Sequence, residues 1–228
     1  MHFILDHRAV RIAENLSKYG EVSFFDAGNI VYPAISGHPD IFIAKIHDQW
    51  ILAPNAPSDI ISHFDILQVP ITTGIKKVGF RYPDTALYNV FCDEEIAVVS
   101  KHTDESILSQ LKSDEIISVK QGYIACNLAR IGSEFITSDT GIEKELKTNG
   151  KSVHFVKPDK IRLSGVPNGF IGGTLGQIDE RVFFTGSERS FYSALLRDIC
   201  IRQKKELIFL SKEEALDVGG IICVNPVA

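Results

Sequence analysis

The chain has 228 residues, 44% hydrophobic and 23% charged, with 24 lysines and arginines against 29 aspartates and glutamates for a net charge of −5. That balance describes a globular chain long enough to bury a real core. It excludes nucleic acid as the main partner, since phosphate binding needs clustered cations, and no apolar run reaches the ~18 residues of a membrane span.

Read from the start, an apolar strand at Phe3-Ile4-Leu5-Asp6 leads to a helix over 8–18 that carries Val10, Ile12, Ala13 and Leu16, and then to a strand over 22–25. A strand over 41–46, a polar turn at His47-Asp48 and a strand at Trp50-Ile51-Leu52-Ala53 read as a hairpin, followed by a helix and a strand over 65–69. The order recurs with 89–92, the turn Asp93-Glu94, Ala97-Val98-Val99-Ser100 and 116–119. It recurs again with 123–128, Phe135-Ile136-Thr137-Ser138 and 153–156. A further copy runs through 170–175, Phe183-Phe184-Thr185-Gly186, a helix over 191–202 and a strand over 207–210. The last strand, 221–224, lacks its hairpin partner, and the orphan opening strand 2–5 supplies it. The expectation is a single domain over 1–228 made of five ββαβ units, closed by pairing of the terminal strands, with Met1 beside Ala228. The competing reading is an ordinary doubly wound α/β domain whose strand–helix alternation only looks periodic.

This organisation resembles the pentein fold of the guanidino-group-modifying enzymes, a five-bladed pseudo-symmetric α/β propeller. Within that superfamily the length is similar to the ribosomal anti-association factor of archaea and eukaryotes, and to small bacterial penteins of unassigned function. Ser-Gly-His-Pro-Asp at 36–40, Ile-Thr-Ser-Asp at 136–139 and Asp-Val-Gly-Gly-Ile-Ile at 217–222 carry the second likeness.

Strand alternation divides the inner strands into two faces. Phe42, Val90, Ile124, Ile171 and Ile221 are expected under the helices, and Ile43, Phe91, Ala125, Gly172 and Ile222 toward the axis. Two residues on come Lys45, Asp93, Asn127 and Thr174; with Asn89 and Asp40 they are the candidate ligand-binding residues. Cys92, Cys126 and Cys223 fall in one column, which alternation turns toward the helices. The resemblance singles out Cys223, because deiminases and amidinotransferases carry a nucleophilic cysteine in the last blade, often shortly after a Gly-Gly pair such as Gly219-Gly220. It also implies a His-x-Asp motif on the fourth blade as acid/base and cation anchor. The corresponding stretch, 169–175, contains neither residue type, so His38 is the candidate acid/base.

Two functions stay open. One is a ring that binds a small polar or guanidino-like ligand without ordinary deiminase chemistry. The other is a cysteine-dependent hydrolase or amidinotransferase working through a covalent thiol adduct. No cofactor or metal is expected, since the thiol spacings match no zinc signature. The opening residues meet charge at Asp6 and Arg8 too early for a signal peptide, and cysteines without CxxC spacing suit a reducing cytoplasm.

Overall fold

The computed structural model describes residues 1–111 and 115–225. The chain enters as β1 (His2–Asp6), crosses through α1 (Val10–Leu16) and returns as β2 (Glu21–Phe25). After three short 3₁₀ turns, β3 (Ile43–Ile46) and β4 (Gln49–Leu52) form a hairpin, and α2 (Ser58–Ile66) leads to β5 (Ile71–Thr73). The same course is taken by β6 (Phe91–Cys92), β7 (Ile96–Ser100), α3 (Glu105–Leu108) and β8 (Glu115–Val119). A helical turn, α4 (Ile124–Asn127), then precedes β9 (Leu128–Ile131), β10 (Glu134–Thr137), α5 (Thr140–Thr148) and β11 (Ser152–Phe155). Next come β12 (Leu175–Ile178), β13 (Arg181–Phe184), α6 (Ser193–Arg202) and β14 (Glu206–Phe209), with β15 (Ile222–Val224) last.

These strands make five three-stranded sheets, ordered β15-β1-β2, β3-β4-β5, β6-β7-β8, β9-β10-β11 and β12-β13-β14. In each, the middle strand runs antiparallel to the first and parallel to the third. A parallel return needs a crossover, and a helix supplies one every time. Covered on both faces, the middle strands are near-continuous apolar runs; Phe3, Ile4 and Leu5 are fully buried, as is every residue of β7. Side-chain caps start two of the helices, Asp104 accepting from the Ser106 N–H and Asp139 from the Ile142 N–H.

The terminal strands pair as expected, with His2 opposite Val224, Phe3 opposite Cys223 and Ile4 opposite Ile222. Ala228 lies outside the described residues. β3 also touches β6, and β12 touches β15. A single doubly wound sheet is not what forms. Among the described residues no helix is long and apolar enough to cross a membrane.

Three strand expectations shift. The strand placed over 65–69 is the end of α2 and its exit turn: Gln68 takes φ +55° and the Val69 N–H bonds back to Phe64 O at 3.0 Å. The β-branched run Ile71-Thr72-Thr73 pairs with Trp50–Leu52 instead. The stretches 123–128 and 170–175 are helical turns, and their strands begin only at Leu128 and Leu175. The cysteine column breaks with them. Cys92 and Cys223 lie within strands, while Cys126 sits in α4, ahead of β9.

Candidate functional site

The turns ahead of the first strands, rather than the strands themselves, bring the polar residues together. His38-Pro39-Asp40 enters a 3₁₀ turn with proline at its first position, where the fixed φ is pre-set and a missing N–H costs nothing. This buries Asp40 at 6% exposure and His38 at 1%. Asn89, fully buried ahead of β6, ties that turn to α4. Its amide N–H reaches Asp40 O at 3.2 Å and Cys126 Sγ at 3.3 Å, and its Oδ1 accepts from the Cys126 N–H at 3.2 Å. The Cys126 thiol is left to donate to Asp40 Oδ2 at 2.8 Å.

Asp217 comes from the turn before β15. Its carboxylate accepts from the Phe170 N–H at 2.8 Å and the Gly219 N–H at 3.0 Å, and Oδ1 stands 3.8 Å from His38 Nε2. Two glycines make this approach available. Gly219 holds φ +68°, and a Cβ there would run into His38; a Cβ on Gly173 would overlap the Asp217 carboxylate. Asp6 Oδ2 is 4.0 Å from His38 Nε2, but Asp6 is already matched by Arg8 at 2.6 Å.

The electrostatics follow from this burial. Desolvation pushes Asp40 up to about 6, opposed by His38 and by the bond from Cys126. Burial also raises Asp217. The Cys126 thiol is pushed well up, by burial first and then by the charges of Asp40 and Asp217. Asp40 Oδ1 and both ring nitrogens of His38 are buried with no hydrogen-bond partner. Polar atoms in that condition are uncommon unless a ligand meets them.

A cavity of about 400 Å³ opens onto His38, Cys126 and Asp217, with the rings of Tyr32, Tyr123 and Phe170 in its wall. Tyr123 Oη lies 2.5 Å from Thr85 Oγ1 and 3.5 Å from Tyr32 Oη. Asp40 borders a second cavity of about 240 Å³, together with Phe91, Ala125, Gly172 and Ile222, four of the five residues expected toward the axis. A thiol, an imidazole and two carboxylates are the groups that nucleophilic catalysis with proton transfer requires. His38, Asp40 and Cys126 also offer one nitrogen, one oxygen and one sulfur within 4.8 Å of one another, a donor set that suits zinc.

Of the residues expected at the site, His38, Asp40 and Asn89 are brought together. Cys223 and His38 are not: Cys223 borders a different cavity, with Lys45, Trp50 and Asp179, and burial pushes its thiol up to about 12. Lys45 stands over the Trp50 ring at 5.5 Å. Asp93 is held by Arg130 at 2.6 Å. Asn127 is spent on Tyr123 O and the Ser138 hydroxyl, and Thr174 on Ile171 O. Sequence reasoning passed over Cys126 and Asp217 as site residues. The aspartate of 217–222 was the available signal for Asp217, while nothing local in the sequence sets Cys126 apart from Cys92 and Cys223.

The fold is that of the penteins. SxtG, an amidinotransferase of the saxitoxin biosynthetic pathway from Microseira wollei, superposes with a TM-score of 0.55 at 11% identity, over 91% of this chain and 87% of that one. DDAH from Pseudomonas aeruginosa, a cysteine-to-serine mutant complexed with citrulline, gives 0.53 at 10% identity over 91% of both chains. A histidine-to-glycine variant of dimethylarginine dimethylaminohydrolase, as its adduct with S-methyl-L-thiocitrulline, gives 0.53 at 12% over 91% of both. No curated protein sequence matches the chain. Residues 4–222 match the model described as a family of unknown function, DUF6873, and the chain belongs to that family.

Proposed function

We propose that this chain modifies a guanidino group by covalent thiol chemistry, with Cys126 as nucleophile, His38 as acid/base, and Asp40 and Asp217 as anchors of the cation. The observation that carries the reading is the buried contact of the Cys126 thiol with Asp40, beside His38 and Asp217 and open to a cavity. Asp6 has its own cation in Arg8, whereas among the described residues Asp40 and Asp217 have only His38 between them as a positive partner. A planar cation with several N–H groups matches that deficit in charge and in hydrogen bonding.

The chemistry balances as follows. The thiol, held in place by Asp40, passes its proton to His38, whose ring nitrogen lies within 4.8 Å of the sulfur. The bound cation offsets the charges that otherwise hold the thiol protonated. Sulfur bonds to the guanidinium carbon, the carbon–nitrogen bond breaks, and the amine leaves with a proton from His38. Water, deprotonated by His38, then adds to the thiouronium carbon, and the carbon–sulfur bond breaks to release a ureido product and regenerate the thiol. An amine in place of that water gives amidino transfer.

The high thiol pKa of Cys126 favours a second reading, a ring that binds the cation without cutting it. Both readings place the site where five sheets close into a propeller, which the β15–β1 pairing and the β12–β15 contact support. Four cysteines with no disulfide fit a reducing compartment, and we assign the chain to the cytoplasm. The test is release of ammonia or amine and of ureido product from guanidino compounds by the wild type, Cys126→Ser and Cys223→Ser. Turnover lost with Cys126 and kept without Cys223 supports the enzyme. Calorimetric binding without turnover supports the binder, and neither binding nor turnover sinks both.

A further inference from the structure

The cavity above the thiol has a wall whose chemistry bears on the rest of the substrate. Beyond His38, Cys126 and Asp217, it is built from the rings of Tyr32, Tyr123 and Phe170, from aliphatic side chains such as Leu163 and Val166, and from Asn168, whose amide N–H is spent on Gly169 O at 3.0 Å. Among the described residues no lysine or arginine lines it. The guanidinium groups on the bordering segments are committed elsewhere. Arg8 is bound to Asp6 and to the carbonyls of Pro33 and Ala34, and Arg162 to Glu213 and Glu214 O. At about 400 Å³ the cavity is within the roughly 300–1,000 Å³ that holds a whole small ligand, so a substrate's tail enters with its head group.

A tail carboxylate in this space would leave water for rings and methyl groups, meet no lysine or arginine, and lie in the field of Asp217 and Asp40. An apolar or aryl tail gains burial against the same wall. We infer that the site takes guanidines with an apolar, carboxylate-free tail and discriminates against arginine and other guanidino acids. This rests on the guanidino reading of the site.

The experiment sets phenethylguanidine against arginine, by calorimetry on wild type and Cys126→Ser and by kcat/KM on the wild type. The expected result is at least about tenfold in favour of phenethylguanidine, the effect of ~1.4 kcal/mol. Val166→Arg, at a position already 37% exposed, should narrow that ratio by giving a tail carboxylate its partner. Arginine bound or turned over as well as phenethylguanidine overturns the substrate class while keeping the guanidino reading. Binding of neither guanidine overturns both.

Discussion

Glu134 and Asp40 are both buried carboxylates with a histidine beside them, and they have opposite fates. Glu134 on β10 is saturated. Arg202 reaches it at 3.0 and 2.7 Å, Gln203 at 2.8 Å and His154 at 2.6 Å, and its carboxyl is held down at about 2, mainly by Arg202. Asp40 receives the Cys126 thiol on one oxygen and nothing on the other, and burial drives it up to about 6. The first arrangement joins β10, β11 and α6 and asks for nothing further. The second lies among other acids and a thiol, with His38 beside it and, among the described residues, no lysine or arginine bonded to it. A buried carboxylate left unmatched lowers stability, so the cluster around Asp40 reads as a site held ready for a cation, while the cluster around Glu134 reads as structure.

The sharpest way to break this comparison is to exchange the consequences. Cys126→Ser should lower turnover of a guanidine by at least ~10³-fold, the scale on which removing a nucleophile acts. Cys223→Ser should stay within about twofold, because among the described residues its thiol's one hydrogen bond is to the Ile221 carbonyl at 3.7 Å. Equal losses in the two would show that Cys126 has no special part. Next in size, Glu134→Gln should lose ~2 kcal/mol of stability in denaturant melts, as expected for charge-assisted bonds, with kcat/KM unchanged. Asp40→Asn should do the reverse at neutral pH, with stability held or raised and kcat/KM down ~10²-fold. If both variants lost stability and neither lost activity, the two clusters would be of one kind.

How much of this was legible in the sequence follows from what each level of pattern encodes. Central strands such as Phe3-Ile4-Leu5 and Ala97-Val98-Val99 carry the burial of both faces in their composition, and the pairing of 2–5 with 221–224 followed from an unfinished hairpin. The site did not follow, because alternation was carried through 123–128 and 170–175, where the backbone turns helical. Cys126 is set by the Asn89 side chain from another sheet, a contact that no local periodicity contains. The resemblance instead singles out Cys223, by its place after Gly219-Gly220. Yet in the proposed site Gly219 of that pair serves Asp217 and His38 rather than Cys223: it bonds the first and makes room for the second.

The smallest expected effect is in the pH dependence of stability, and its sign separates the two carboxylates. Asp40 rises from 3.8 unfolded to about 6 folded, so the folded chain holds the proton more tightly. Its contribution is present in full below pH ~4 and is lost as pH rises through about 6. Glu134 falls from 4.5 to about 2, so its contribution is present above pH ~4.5 and is lost as pH falls through about 2. Between pH 4.5 and 7, then, the stability of wild type relative to Asp40→Asn should decline with rising pH, while that of wild type relative to Glu134→Gln stays level. Thermal melts of the three proteins over that window check this. A cation seated against Asp40 should flatten the first slope, since it supplies the charge that burial withholds and returns the carboxyl toward its ordinary value. A slope that a bound guanidine leaves untouched would mean the cation sits elsewhere, and the unmatched oxygen of Asp40 would then be a strain that the fold tolerates rather than one end of a binding site.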